Sequence, residues 1–151
     1  MKTKRALWFI LVTAVFVSAM VGQEKGTTRR TVNLPRGATA DLPFSDAILA
    51  GNTLYLSGWI GFMPGTTKVP ADPKEEAKFL LDRYQAILKE AGMTMENLVS
   101  VTVYCPDLSL FSAFNEVYRS YFKRDFPARA FIGSGPLLFG GRFEMQGIAV
   151  K

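Results

Sequence analysis

Apolar and polar positions recur along this chain with periods that identify its elements. Ala47-Ile48-Leu49-Ala50, then Gly51-Asn52, then Thr53-Leu54-Tyr55-Leu56-Ser57 predicts a β-hairpin, because both turn residues tolerate positive φ. Asp72, Pro73 and Glu75 read as the N-cap, first residue and capping-box partner of a helix. Its apolar stripe follows at Ala77, Leu80, Leu81, Tyr84, Ile87, Leu88 and Ala91, and Gly92 supplies the stop. Val99 to Tyr104 alternates and is rich in β-branched residues, so it predicts a strand. A second amphipathic helix carries Phe111, Phe114, Val117, Tyr118, Tyr121 and Phe122 on one side. Arg129 to Gly133 and Arg142 to Val150 predict two closing strands. The order β-β-α-β-α-β-β implies an α+β domain, with both helices on one face of a single mixed sheet. The other face must be covered by something else, which in a domain this small points to oligomerisation.

The first residues follow a different logic. Lys2, Lys4 and Arg5 precede an uncharged run over residues 6–21. Sixteen residues is short for a membrane span and right for the apolar region of a signal peptide. Val17-Ser18-Ala19 offers small residues for cleavage, and no cysteine lies nearby for lipid attachment. Residues 1–22 are thus expected to be a signal peptide for a periplasmic or secreted protein, with no stable membrane insertion after cleavage. The alternative is an uncleaved anchor. Residues 23–41 are expected to be a lead-in and first strand, with polar Gln23 to Thr31 as a flexible stretch.

Composition then narrows the chemistry. With 48% hydrophobic and 21% charged residues in 151, the chain can build one core and one domain. The net charge of +5 owes much to the leader, whose removal leaves 15 basic against 13 acidic residues, or +2. That residual charge, without a basic stripe, gives no expectation of nucleic-acid binding. There is no histidine, which removes His-based triads and His metal sites. The lone cysteine, Cys105, can form neither an internal disulfide nor a thiolate cluster and reads as a packed thiol. Gly133-Ser134-Gly135 with Gly140-Gly141 does not have dinucleotide-binding spacing.

Several local motifs together resemble one family. Leu42-Pro43-Phe44-Ser45-Asp46-Ala47-Ile48, Ser57-Gly58, Ala91-Gly92 and Asn115-Glu116-Val117-Tyr118 occur in order. They are followed by Tyr121-Phe122, Phe126-Pro127-Ala128-Arg129-Ala130 and Phe143-Glu144-Met145-Gln146-Gly147-Ile148-Ala149. This set, over residues 42–150, resembles the RidA (YjgF/YER057c/UK114) family of imine deaminases, so 42–151 is expected to be a RidA-like domain. The resemblance implies a chorismate-mutase-like fold, a homotrimer and active sites between subunits. It also implies cofactor-free hydrolysis of small 2-imino acids or their enamine tautomers, such as 2-aminoacrylate and 2-iminopropionate, to 2-oxo acids and ammonia.

That chemistry needs a cationic clamp for the carboxylate, a group that aims water at the imine carbon, and a shaped pocket. By pattern alone, Arg129 reads as half of a strand salt bridge and Glu144 as a solvated strand carboxylate. The resemblance instead makes Arg129 the clamp and Glu144 the water-activating group. Ser57 and Gly58, expected at a strand end, would let a ligand approach the backbone. Asn115 on the second helix is a further candidate, although such an asparagine is commonly structural. The backbone of Phe131 would line the pocket, two residues beyond Arg129.

The departures from the family pattern are aromatic. Phe44 stands where many members carry tyrosine, Trp59 replaces the glutamine of Ser-Gly-Gln, and Phe131 stands where some bacterial members carry cysteine. The segment from Gly133 to Gly141 also differs from the usual Leu-Pro-containing turn. These changes bear on substrate identity more than on reaction type. They keep open a second function class, a non-catalytic trimer that holds a small carboxylate or apolar ligand. Ribonuclease activity, a label often attached to this family, ranks last on the charge argument.

Overall fold

The computed structural model describes residues 28–35, 42–123 and 125–151. The expected signal peptide lies outside the described residues. The strands are β1 (Arg29–Val32), β2 (Ala47–Ala50), β3 (Thr53–Ile60), β4 (Leu98–Cys105), β5 (Ala128–Gly133) and β6 (Glu144–Val150). They form one sheet in the order β1-β2-β3-β6-β4-β5, in which only β4 and β5 pair in parallel. Helix α1 (Pro73–Glu90) links β3 to β4, and α2 (Phe111–Arg119) links β4 to β5. Both links step across the sheet in the same direction. Right-handed crossovers made in one direction place their helices on the same face.

Burial follows that arrangement. Leu54, Leu56, Val101, Val103, Met145 and Ala149 point under the helices and are buried against Leu80, Leu81, Tyr84, Ile87, Leu88 and Phe114. The opposite face carries Tyr55, Ser100, Thr102, Tyr104, Gln146 and Ile148, partly or fully exposed in the single chain. Helix α1 has the cap residue and the stop that its sequence predicts, but the capping-box bond expected of Glu75 is not formed. The Asp72 carboxylate accepts the Lys74 N–H at 2.9 Å, and Gly92 takes the left-handed conformation at φ 72°. Cys105 is buried, as its pattern suggests, and burial pushes its thiol pKa up.

Several boundaries differ from the sequence reading; β6, expected from Arg142, starts at Glu144 because the Arg142 and Phe143 N–H groups go to Glu76. Arg29 to Thr31, read as flexible, belong to β1, which pairs Arg29 with Ala50 and Val32 with Ala47. A polar stretch can serve as an edge strand because only Val32 among its residues is buried. Strand β3 does not end at Ser57-Gly58 but runs to Ile60, with a register shift against β6 between Leu56 and Trp59. Helix α2 ends at Arg119, so Tyr121 and Phe122 lie in the turn beyond it. Phe122 still packs on Tyr118, with ring centroids 4.7 Å apart.

Two buried carboxylates tie α1 to the rest. Asp46 meets Arg83 at 2.9 Å and accepts the Leu34 N–H at 2.7 Å. Glu76 is fully buried and accepts the backbone N–H groups of Arg142 (2.7 Å) and Phe143 (3.1 Å) and the Arg142 guanidinium (2.7 Å). Arg142 also donates to the carbonyls of Pro70 and Ala71, so the start of β6 is bolted to the start of α1. Glu76→Ala would leave these donors buried without an acceptor. Urea unfolding should show a loss of about 3–5 kcal/mol, the range for breaking a buried ion pair from one side. A loss under about 1 kcal/mol would mean that water replaces the carboxylate.

Candidate active site

Glu144 opens β6 and pairs with Ile60 on one side and Tyr104 on the other. Its carboxylate lies over Gly58, where an added Cβ would come within 2.2 Å of Oε1. The missing side chain at Gly58 therefore makes room for a protein carboxylate. Glu144 is half-buried and takes no hydrogen bond or ion pair among the described residues, and burial raises its pKa. It is not the solvated strand carboxylate that its pattern alone suggests. It lines a cleft of about 400 Å³ with Phe44, Ser57, Gly58, Trp59, Phe62 and Phe139, among others.

The supports of this cleft are visible at atomic detail. The Ser57 hydroxyl donates to the Ser45 carbonyl at 2.6 Å, and its N–H donates to the Asp46 carbonyl at 3.0 Å. Its hydroxyl thus fixes the loop beside Phe44. Phe44 packs edge-on to Trp59 at 5.8 Å, and the Arg83 guanidinium covers the Trp59 ring at 4.4 Å. The Tyr84 hydroxyl, fully buried on α1, donates toward the carbonyls of Ser57 (2.9 Å) and Met145. Those carbonyls flank Gly58 and Glu144, so Tyr84 is a positioning residue for the pair. Burial, with the negative charge of Glu144 added, holds its phenol well above the ordinary tyrosine range.

Arg129 belongs to a second cluster. On edge strand β5 it is in register with Val101, a buried position, whereas Glu144 is in register with Tyr104 on the opposite face. Strand spacing and rise put their Cα atoms about 14 Å apart. Within one chain, therefore, the two do not converge. Asn115 and Phe131 go with Arg129. Arg129 Nη2 donates to Asn115 Oδ1 at 2.5 Å, and the guanidinium lies 4.5 Å from the Tyr118 ring centroid. The Phe131 ring meets Phe111 at 5.1 Å and Phe114 at 5.6 Å, so its side chain packs under α2 and does not line the Glu144 cleft.

Arg129 also escapes the salt bridge expected of it by pattern: among the described residues no carboxylate pairs with it. Its Nη1 is buried without a hydrogen-bond partner, as is the Tyr118 hydroxyl beside it. Burial lowers the pKa of Arg129 and raises that of Tyr118 to about 12. The guanidinium is held on one side by an amide oxygen and lies against aromatic faces, and its planar fork of donors matches the geometry of a carboxylate.

Sequence reading missed Tyr84 and Tyr118 as parts of these clusters, and Glu76 as the anchor of the segment that leads into Glu144. Tyr84 and Tyr118 fit apolar helical stripes, and Glu76 sits among ordinary first-turn acidic residues. A carboxylate three residues after the first helical position, next to an exposed Glu75, carries no mark of burial. Phe139 is a further omission. It is the sole non-glycine residue with positive φ among the described residues, at φ 57° and ψ 19°. That conformation costs a bulky residue roughly 1 kcal/mol or more. Its ring stands edge-on to Phe62 at 5.4 Å, and both residues line the cleft.

Known proteins share this architecture. A sequence profile of the family described as Endoribonuclease L-PSP matches residues 36–151. A goat protein named 2-iminobutanoate/2-iminopropanoate deaminase is 41% identical over 82% of this chain and 90% of its own length. The human protein of that name is 38% identical over the same shares. Among solved structures, RidA from the Antarctic bacterium Psychrobacter sp. superposes with a TM-score of 0.75 at 31% identity, covering 81% of this chain and 99% of that one. The YjgF gene product of E. coli gives a TM-score of 0.75 at 31% identity, covering 81% and 98%. Through residues 36–151, then, the chain belongs to the Endoribonuclease L-PSP family, the RidA family whose motifs its sequence carries.

Proposed function

We propose that this protein hydrolyses 2-imino acids to 2-oxo acids and ammonia. The observation that carries the reading is Glu144, a half-buried carboxylate with raised pKa and no hydrogen-bond partner among the described residues, lining a cleft. Curated relatives named 2-iminobutanoate/2-iminopropanoate deaminase support it. Glu144 accepts a proton from water as the oxygen adds to the imine carbon. It passes that proton to nitrogen to give a carbinolamine, and then carries the carbinolamine hydroxyl proton to nitrogen as the C=O bond forms and the carbon–nitrogen bond breaks, which releases ammonia and leaves the 2-oxo acid. Arg129 holds the substrate carboxylate with its fork, and Asn115 fixes one arm of that fork.

The separation of Arg129 from Glu144 favours a site built from two subunits. In a homotrimer, Arg129 on the edge strand of one subunit would face the Glu144 cleft of the next. The polar sheet face left open in the single chain would be covered in the same assembly. Light scattering should give about three times the chain mass, with closed symmetry. A monodisperse monomer at micromolar concentration would overturn both the assembly and the shared site.

Kinetics separate the two roles. Arg129→Ala should lower kcat/KM for 2-iminopropionate by roughly 10²- to 10³-fold, about 3–4 kcal/mol, and Arg129→Lys should recover little of it. Glu144→Gln should lower kcat about 10²-fold with KM nearly unchanged. Because Glu144 must be deprotonated and its pKa is raised, kcat/KM should fall on the acid side, with a midpoint above the roughly 4.3 of an ordinary glutamate. That acid limb should vanish in Glu144→Gln. Near-parental kcat/KM in both variants would show that the site is wrong. The aromatic lining favours, as a second reading, a trimer that only binds ligands. Its signature is no turnover by the parent protein, with affinity for a small carboxylate lost in Arg129→Ala.

We also propose export, from the basic and uncharged runs at the start of the sequence. N-terminal sequencing of protein recovered outside the cytoplasm should start between Met20 and Glu24. A full-length cytoplasmic form would refute it.

A further inference from the structure

The Glu144 cleft has a volume of about 400 Å³ in the single chain, part of which a neighbouring subunit would take up in a shared site, so its lining says more about the substrate than its size does. Glu144, Gln146 and Ser57 supply its side-chain polar groups, and the Ser57 hydroxyl is already engaged with Ser45. Most of the remaining lining is apolar, with Leu42, Phe44, Phe62, Leu138 and Phe139 contributed by segments outside the regular strands.

Phe139 is held in that wall against its own backbone preference. The segment from Ser134 to Gly141 is pinned at both ends. Ser134 N–H donates to the Cys105 carbonyl at 3.2 Å, and the N–H groups of Arg142 and Phe143 end on Glu76. Between these pins, a turn over Leu138–Gly140 puts Phe139 in the left-handed region with its ring on Phe62. The ring is half-exposed and Leu138 is 71% exposed, so the core does not require them there. An exposed aromatic kept in a disfavoured conformation beside a reactive carboxylate marks a contact made with something outside the chain.

We propose that Phe44, Phe62, Leu138 and Phe139 form a subsite for the substrate side chain, and that this protein prefers 2-imino acids with a large apolar or aromatic side chain over 2-iminopropionate. This rests on the deaminase reading and adds the substrate class. The carboxylate and imine occupy the polar end, at Glu144 and the Arg129 that a neighbouring subunit would bring to it. The side chain extends toward Phe139, where the rings of Phe62 and Phe139 offer edge and face contacts.

The test generates imino acids in place with an L-amino-acid oxidase from phenylalanine, leucine and alanine, and follows the 2-oxo acid released by the purified protein. The expected kcat/KM for the phenylalanine- or leucine-derived imine is at least tenfold that for 2-iminopropionate. In Phe139→Gly, which relieves the backbone, Tm should hold or rise while that ratio falls at least fivefold. Leu138→Ser should lower the ratio in the same direction. A parent ratio at or below one, or a ratio untouched by both substitutions, overturns the subsite while the deaminase reading stands. Dissociation of the assembly by either substitution, seen by light scattering, also overturns it, because the apolar wall would then be a subunit contact. No turnover of any imine removes the deaminase reading itself, and the subsite with it.

Discussion

A single buried carboxylate sets the geometry on which the rest depends. Glu76 sits in the first turn of α1 and receives the N–H groups at the entrance to β6 together with the Arg142 guanidinium. An uncompensated charge at that depth would be strongly unfavourable, so the carboxylate and its donors must stay together. The next residue but one after Arg142 is Glu144, and the segment before it carries Phe139. One ion pair therefore fixes where β6 begins, how Glu144 meets Gly58 and where the cleft's apolar wall stands.

The sheet then divides the chemistry between its two faces. Strand pleating sends alternate residues to opposite sides, and register puts Arg129 with the core-facing set and Glu144 with the open set. Each is surrounded by groups suited to one half of a carboxylate-bearing substrate. Arg129 has an amide oxygen and aromatic faces. Glu144 has a cleft, a raised pKa and a glycine that admits its oxygen. The proposed reaction uses both, and the distance between them within one chain is what the proposed association would bridge.

Aromatic substitution relative to the family pattern has different consequences at different positions. Phe131 is absorbed by packing under α2, where Phe111 and Phe114 enclose it. Trp59 is buried between Phe44 and Arg83 and serves as wall and cation-binding face together. Phe44 and Phe139 remain partly exposed at the cleft. The same residue type is structural in one place and available to a ligand in another, and only the neighbours decide which.

The sequence alone determined the elements whose signals are local. The Asp72 cap and the stripe from Ala77 to Leu88 specify α1, the alternation from Val99 to Tyr104 specifies β4, and the turn at Gly51-Asn52 specifies the hairpin. The family motifs named Arg129 and Glu144 because their residue types and flanks are distinctive. Tertiary structure decided what depends on partners distant in sequence. Arg29 to Val32 became a strand because β2 offered an edge, Glu76 became a buried anchor because Arg142 and Phe143 arrive 66 and 67 residues later, and Ser57 turned inward to Ser45. The opposition of Arg129 and Glu144 across the sheet is of the same kind. Each strand's alternation is readable in the sequence, but their relative phase is set by the register of β4 with β5 and β6, which only the folded sheet fixes.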